Sequence, residues 1–439
     1  MDTNTDTENP IQKTSSDTRP YAVVLYGATS FVGQITAHYL TNFLSNNKNE
    51  DGSNVSWAIA GRDEDKLNKL QAKLESKVDI IIANSNDAAS LDKMTKQTQV
   101  IISTVGPYLK YGEPLIKSCA ENGTDYVDLT GEAIFIKDMM DKYQDIAKQS
   151  GARIVNSCGF DSIPSDLGAY FTQAKAEEKF GETCNVIHMR VKAAKGGISG
   201  GTIASMASIF EEAGEDKARR KQVANPYLLN DDTDAPNVRQ DNVSKPVYDS
   251  NHKRWLAPFV MATINTRIVH RTNQLLSYEY GRDFKYDEAM WMKDGVKGKL
   301  SSYAMSAGLL GFATAMMIKP SRELLSKHVL PKAGSGPSKD EQENGYFDIR
   351  HFGQTAKNDT ITVKVTGDKD PGYGSTSRMI SQAALCLAQD ISKEDVGGGF
   401  WTPASAMGDK LITRLEAHSG LSFEVIDSCL LYTSPSPRD

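Results

Sequence analysis

Gly27 and Gly33 frame the turn Gly27-Ala-Thr-Ser-Phe-Val-Gly33, which directly follows the apolar run Ala22-Val-Val-Leu-Tyr26. Beyond the turn, Ile35, Tyr39, Leu40, Phe43 and Leu44 fall on one helical face. Strand, glycine turn and helix in that order form a dinucleotide-binding pattern, because the turn lets the backbone approach a pyrophosphate and the first amides of the helix attract it. Gly27 permits the tight turn and Gly33 close packing of helix on strand, while Ala28, Thr29, Ser30, Phe31 and Val32 line the path between them. Ser30 stands at the middle position, where such patterns carry glycine. The same residues also suit an ordinary strand-to-helix turn.

The next strand-like run, Val55–Ala60, ends in Gly61-Arg62. An NAD site places an acid there to hold the ribose 2′-hydroxyl. A guanidinium instead suits a 2′-phosphate, by charge and by bidentate geometry. NADP(H) is therefore the preferred cofactor, with NAD(H) as the alternative and Asp63 as a competing partner for Arg62. Strand-like runs continue at Val78–Ala83, Val100–Val105, Tyr126–Leu129 and Arg153–Asn156, with helical patterns between them. Such alternation predicts a Rossmann-type, doubly wound parallel sheet whose ligands lie beyond the carboxyl ends of its strands. Those ends read Thr104-Val-Gly-Pro-Tyr108, Asp128-Leu-Thr-Gly-Glu132 and Ser157-Cys-Gly-Phe-Asp-Ser-Ile-Pro164. Thr104, Val105, Gly106 and Pro107 belong to the expected cofactor path, and Tyr108 is a candidate to stack on the nicotinamide or donate beside it; a rigid turn is the plainer reading.

The elements that must hold these residues come from 439 residues, enough for two to three domains. Hydrophobic residues make up 39% and the net charge is -6, a balance unlike that of phosphate-backbone binders, so nucleic acid is not an expected partner. Five scattered cysteines without CxxC spacing indicate a reducing, cytoplasmic setting. The seven histidines lack paired-ligand spacing, and no metal site is expected. Residues 1–19 read as a flexible tail without a signal-peptide core, and 428–439 (SCLLYTSPSPRD) as a non-native tail.

Taken together, Tyr26-Gly-Ala-Thr-Ser-Phe-Val-Gly33, Ala60-Gly-Arg62, Ser103-Thr-Val-Gly-Pro-Tyr108, Tyr126-Val-Asp-Leu-Thr-Gly-Glu132 and Cys158-Gly-Phe-Asp-Ser-Ile-Pro-Ser-Asp166 resemble the saccharopine dehydrogenase-like oxidoreductase family, which includes the trans-acting enoyl reductases. Gly197-Ile-Ser-Gly-Gly-Thr202, Lys332-Ala-Gly-Ser-Gly-Pro-Ser338 and Thr402-Pro-Ala-Ser-Ala-Met-Gly408 extend the likeness, which runs from about Tyr21 to Asp427. The resemblance implies a nucleotide-binding domain over 20–165 and 376–427, interrupted by a mixed α/β substrate and dimerisation domain over 166–375. It also implies a C-terminal helix that returns to the first domain. Strand character at Val186–Ala193, Arg267–Thr272 and Thr360–Val365, and a helix from Thr402 to Leu415, agree with that plan.

The resemblance implies an NADP(H)-dependent oxidoreductase reducing an enoyl or keto group on a lipid-like or carrier-bound substrate, as in glycolipid assembly. The alternatives are a saccharopine-type amino-acid dehydrogenase and a lipid-associated nucleotide-binding protein without turnover. Enoyl reduction requires a hydride, a donor for the developing anion and a proton source. Candidates for the donor are Tyr108, Lys195 and the Ser199-Gly-Gly-Thr202 segment, with Ser199 and Thr202 first; a glycine-rich helix cap is the equal alternative. Asp128, Glu132 and Asp161 are candidates to orient cofactor or substrate.

Residues 300–318 (LSSYAMSAGLLGFATAMMI) carry no charge and are bracketed by Lys297, Lys299, Lys319, Arg322 and Lys327. Their length approaches the ~20 residues that cross a bilayer. Crossing would set two parts of one domain on opposite sides of a membrane. The expected state is a buried helix or a homodimer interface, with peripheral membrane contact as the alternative.

Overall fold

The computed structural model describes residues 19–48, 52–74, 76–196, 217–231, 233–328 and 336–426. The expectations for 1–18 and 428–439 fall outside them. Arg19, assigned above to the tail, belongs to the fold: its guanidinium donates to Thr98 O at 2.9 Å and to Asn122 O at 3.1 Å.

Six strands open the chain: β1 (Tyr21–Tyr26), β2 (Trp57–Gly61), β3 (Asp79–Ile82), β4 (Thr98–Ser103), β5 (Asp125–Asp128) and β6 (Arg153–Val155). They alternate with α1 (Phe31–Asn46), α2 (Glu64–Gln71), α3 (Ala88–Thr95), α4 (Tyr108–Tyr111), α5 (Glu113–Asn122) and α6 (Ala133–Ser150). Helix α7 (Ile163–Phe180) leads into a second set: β7 (Cys184–Lys195), β8 (Val247–Asp249), β9 (Arg254–Pro258), β10 (Lys285–Trp291), β11 (Tyr346–Thr355) and β12 (Thr360–Gly367). The chain then returns through the helix Thr376–Gln389, β13 (Gly399–Trp401) and the helix Pro403–His418, and ends in β14 (Leu421–Ile426).

The first sheet has the order β13-β6-β5-β4-β1-β2-β3, parallel throughout. Val23, Val24 and Leu25 in β1 are fully buried, as a strand covered on both faces requires. Strand order reverses between β2 and β4 on either side of β1, and the crevice there faces the glycine turn. The second sheet, β14-β12-β11-β7-β10-β9-β8, is mixed, with β7 and β10 parallel and its other pairings antiparallel. The fold class is thus the expected one. The last strand is not where the domain plan put it: β14 pairs with β12 in the second sheet, so the return to the first domain ends before Leu421. Arg153, buried at the start of β6, forms an ion pair with Asp125 and donates to Leu387 O and Ile391 O at 2.8 Å, clamping the end of the helix Thr376–Gln389 onto the sheet.

Two expectations fail. Residues 267–272 are helical, inside Ala262–Leu275, not a strand. The β-branched Ile268, Val269 and Thr272 suggested a strand, but Ile264, Ile268 and Thr272 repeat at helical spacing and are buried on that face, and packing overrides propensity. The uncharged stretch is not buried either: within the helix Gly295–Met317 only Gly298, Ser302 and Met316 are inaccessible. Among the described residues its contact with the sheets is mainly with the short β9.

Candidate functional site

The glycine turn is shaped by contacts that exclude side chains. Gly27 has φ +85, and a Cβ there would lie 2.6 Å from Val105 Cγ2 and 2.8 Å from Thr104 Oγ1. One on Gly33 would lie 2.3 Å from Gly27 O. Ser30 is the N-cap of α1: its hydroxyl accepts from Gly33 N at 3.0 Å and lies 3.1 Å from Thr104 Oγ1. The hydroxymethyl group therefore turns into the loop instead of obstructing a phosphate. The amides of Thr29, Phe31 and Val32 have no acceptor among the described residues, and all three residues are half-buried at the N-terminus of a 16-residue helix. That is a cradle for a pyrophosphate.

At the end of β2, Gly61 is buried and Arg62 is exposed, with no partner among the described residues. Asp63 does not compete for it. Its carboxylate caps α2 through Lys66 N at 3.0 Å and pairs with Lys66 Nζ at 3.1 Å, contacts that hold its pKa below the usual carboxylate range. Arg62 is left available for a 2′-phosphate. The residues thus fit NADP(H) at both of its charged groups.

The neighbouring loops are set by carboxylates. Glu132 accepts from Tyr108 N at 3.1 Å and Leu109 N at 2.7 Å, fixing the chain after the cis Gly106-Pro107 bond. Asp128, fully buried, accepts from Ser157 N, Thr130 N, Asn156 Nδ2 and Tyr126 OH at 2.8–3.1 Å; burial pushes it up to about 6. It is saturated and structural. Tyr108 is not free for chemistry: its hydroxyl, buried and raised well above the usual value by that burial, donates to Ser103 O at 3.1 Å and accepts from Leu129 N at 3.2 Å. It is a strut between two strand ends. Lys195 closes β7 with an exposed ammonium that has no partner among the described residues. Ser199 and Thr202 lie outside the described residues.

Asp161 differs from these acids. It sits half-buried in the loop after β6 and has no hydrogen bond or ion pair with another described residue. Burial, and then the Asp128 charge, push it up to about 7. A Cβ on Gly159 would lie 3.0 Å from Asp161 Oδ2 and 2.9 Å from Thr376 Cγ2, and Phe160 N donates to Thr376 Oγ1 at 3.0 Å. Thr376, the first residue of the helix that returns to the first sheet, thus holds this loop.

Sequence reasoning missed the turn that precedes it. Asp370 accepts from Gly372 N, Tyr373 N and Gly374 N at 2.8–3.1 Å, organising a single π-helical turn over Pro371–Ser375. The Tyr373 ring meets Phe31 of the glycine turn edge-on, with centroids 5.2 Å apart. The signal was an Asp-Pro before two spaced glycines. A groove of about 440 Å³, lined in part by Phe43, Asn47, Arg414 and His418, lies at the other end of α1 and takes no part in this arrangement.

The chain is similar to known proteins over most of its length. The family described as saccharopine dehydrogenase NADP binding domain matches residues 23–155. A Mycobacterium tuberculosis protein carrying the trans-acting enoyl reductase name is 38% identical over 421 residues, covering 92% of this chain and 97% of that one. The trans-acting enoyl reductase of Mycobacterium leprae is 34% identical over 417 residues, with 91% and 97% covered. The solved saccharopine dehydrogenase of Saccharomyces cerevisiae aligns with a TM-score of 0.48 at 13% identity, over 93% of this chain and 100% of that one. The chain therefore belongs to the saccharopine dehydrogenase-like oxidoreductase family that includes the trans-acting enoyl reductases, and is an NADP(H)-dependent oxidoreductase.

Proposed function

We propose that this oxidoreductase reduces an enoyl or keto group on a lipid-related substrate, free or carrier-bound, in the cytoplasm, with Asp161 as the proton source. The relatives' names supply the reaction class. The observation that carries the chemistry is the Asp161 carboxyl, which bonds no other described residue and lies at the same edge of the sheet as the amide cradle. NADPH, when bound, would supply the hydride; Thr29, Phe31 and Val32 would hold its pyrophosphate through their amides, and Arg62 its 2′-phosphate. Asp161, near half-protonated at neutral pH, gives its proton to the atom beside the one that gains hydride and recovers a proton from water. Asp128, Glu132 and Tyr108 keep the surrounding loops in place.

The test is turnover of a trans-2-decenoyl thioester with NADPH, with cofactor binding followed by fluorescence. Asp161→Asn is expected to lower kcat by about 10²–10⁴ while leaving NADPH affinity unchanged. Wild-type kcat should fall as pH rises through about 7, because the acid form is lost. Arg62→Glu should weaken NADPH and spare NADH. Full turnover by Asp161→Asn would overturn its role, and failure to reduce any enoyl or keto thioester would overturn the reaction assignment.

A further inference from the structure

We infer that the helix Gly295–Met317 is a docking element that seats the protein on the surface of an anionic lipid bilayer. The inference rests on what the helix exposes and on what brackets it, and is independent of the reaction proposed above.

Among the described residues this is the one helix long and apolar enough to cross a membrane, yet only 11% of its most apolar window is buried. Leu300 is 71% exposed, Tyr303 52%, Leu310 70% and Met317 42%. These positions follow one another at steps of three, seven and seven, so they share a face. The face continues onto the body of the protein: the Tyr303 ring lies 6.3 Å from Trp255, and Trp255 lies 5.4 Å from Tyr248, itself exposed. Tyr and Trp with apolar bodies and polar tips suit the headgroup level of a bilayer. An exposed apolar surface of this kind must be covered in use.

Charge selects the occupant. Lys297 and Lys299 precede the uncharged stretch, and Lys319, Arg322 and Lys327 follow it; with Asp294 and Glu323, the region 294–327 holds five bases against two acids. A second copy of the chain packed helix to helix would set basic end against basic end in either orientation, parallel or antiparallel. An anionic lipid surface meets both ends with opposite charge while its acyl boundary receives Leu300, Tyr303 and Leu310. Topology excludes crossing by this helix alone. The chain enters it from β10 and re-enters the same sheet with β11, on the two sides of β7. The helix therefore lies on the membrane plane, with the sheet above it.

Flotation of the full chain with vesicles tests the inference without requiring turnover. Wild type should rise with phosphatidylcholine vesicles containing 30% phosphatidylglycerol, and at least tenfold less with phosphatidylcholine alone. The double variant Leu300→Asp, Leu310→Asp should lose flotation at least tenfold while keeping wild-type NADPH binding and thermal midpoint, since both sites are exposed. Lys297→Gln with Lys319→Gln should remove the preference for the anionic vesicles. Wild type left at the bottom of both gradients, or a double variant that floats as well as wild type, overturns the inference. So does a wild-type dimer that the double variant dissociates without any flotation of either, which would assign the face to a second copy.

Discussion

Two helices of this protein carry an uncharged apolar stretch and end in opposite environments. From Met379 to Leu387 every residue of the helix Thr376–Gln389 is buried, against β1, β4 and β5 on one side and the helix Pro403–His418 on another. In the helix Gly295–Met317 only three residues are buried. Composition sets how apolar a helix is, but a sheet face must be vacant for it to become core. The first helix returns to a parallel sheet and covers its face at β1, β4 and β5, whereas the second follows β10 outward and meets chiefly the short strand β9. The difference therefore lies in what each helix faces, which neither sequence contains.

Substitutions sharpen this contrast. Leu385 is fully buried, and Leu385→Asp places an unpaired charge in the core at a cost of at least about 4 kcal/mol; the expected outcome is loss of soluble folded protein, read by expression yield and circular dichroism. Arg153→Met removes the clamp on the same helix and leaves buried Asp125 with the backbone amide of residue 153 and the Lys393 ammonium 3.5 Å away as its remaining partners. That should cost about 1–3 kcal/mol in urea unfolding.

A pH series adds a third measurement. Asp166, buried where α7 meets the helix Pro403–His418, accepts from Ala404 N at 2.8 Å and is also bonded to Thr272; burial pushes it up to about 7. Between pH ~4, where the unfolded carboxyl titrates, and pH 7 the folded state keeps a proton that the unfolded chain has released. Stability from this group is thus full below pH 4 and lost as pH rises to about 7. Asp166→Asn mimics the protonated acid, so the wild-type-minus-variant difference should fall with pH by up to about 1.4 kcal/mol per unit. Equal slopes for the two proteins would show that Asp166 does not titrate there. Smallest of all, Leu310→Asp should alter unfolding free energy by no more than about 0.5 kcal/mol; a loss near that of Leu385→Asp would mean the helix is buried against something after all, and the contrast would collapse.

The parallel sheet and its cofactor turn were legible because both rest on local pattern: β-branched runs, two glycines and an arginine at a strand end. Ser30 was visible, but its meaning was not, since a serine at a glycine position reads as an obstacle until its hydroxyl is seen capping Gly33 N. Tyr108 had the right place and the wrong orientation, because side-chain direction depends on partners from Ser103 and Leu129. Asp161 was one of several strand-end acids in the sequence. Only three-dimensional neighbours separate it from Asp128, which spends its oxygens on four donors. The stretch around Ile268 misled because β-branched residues are common to strands and buried helices. The π turn at Pro371–Ser375 depends on one carboxylate gathering three amides, a pattern without a period to detect.

The recognisable cofactor module, residues 23–155, does not complete its own sheet or cover it. One face of its sheet is closed by Thr376–Gln389, its edge strand β6 is completed by β13, and Arg153 reaches carbonyls at 387 and 391. The strand that follows them, β14, is stitched into the other sheet. An excised 23–155 fragment would expose apolar β1, β4 and β5 to water and would aggregate, so grafting this module onto another scaffold requires carrying the distant 376–418 segment with it.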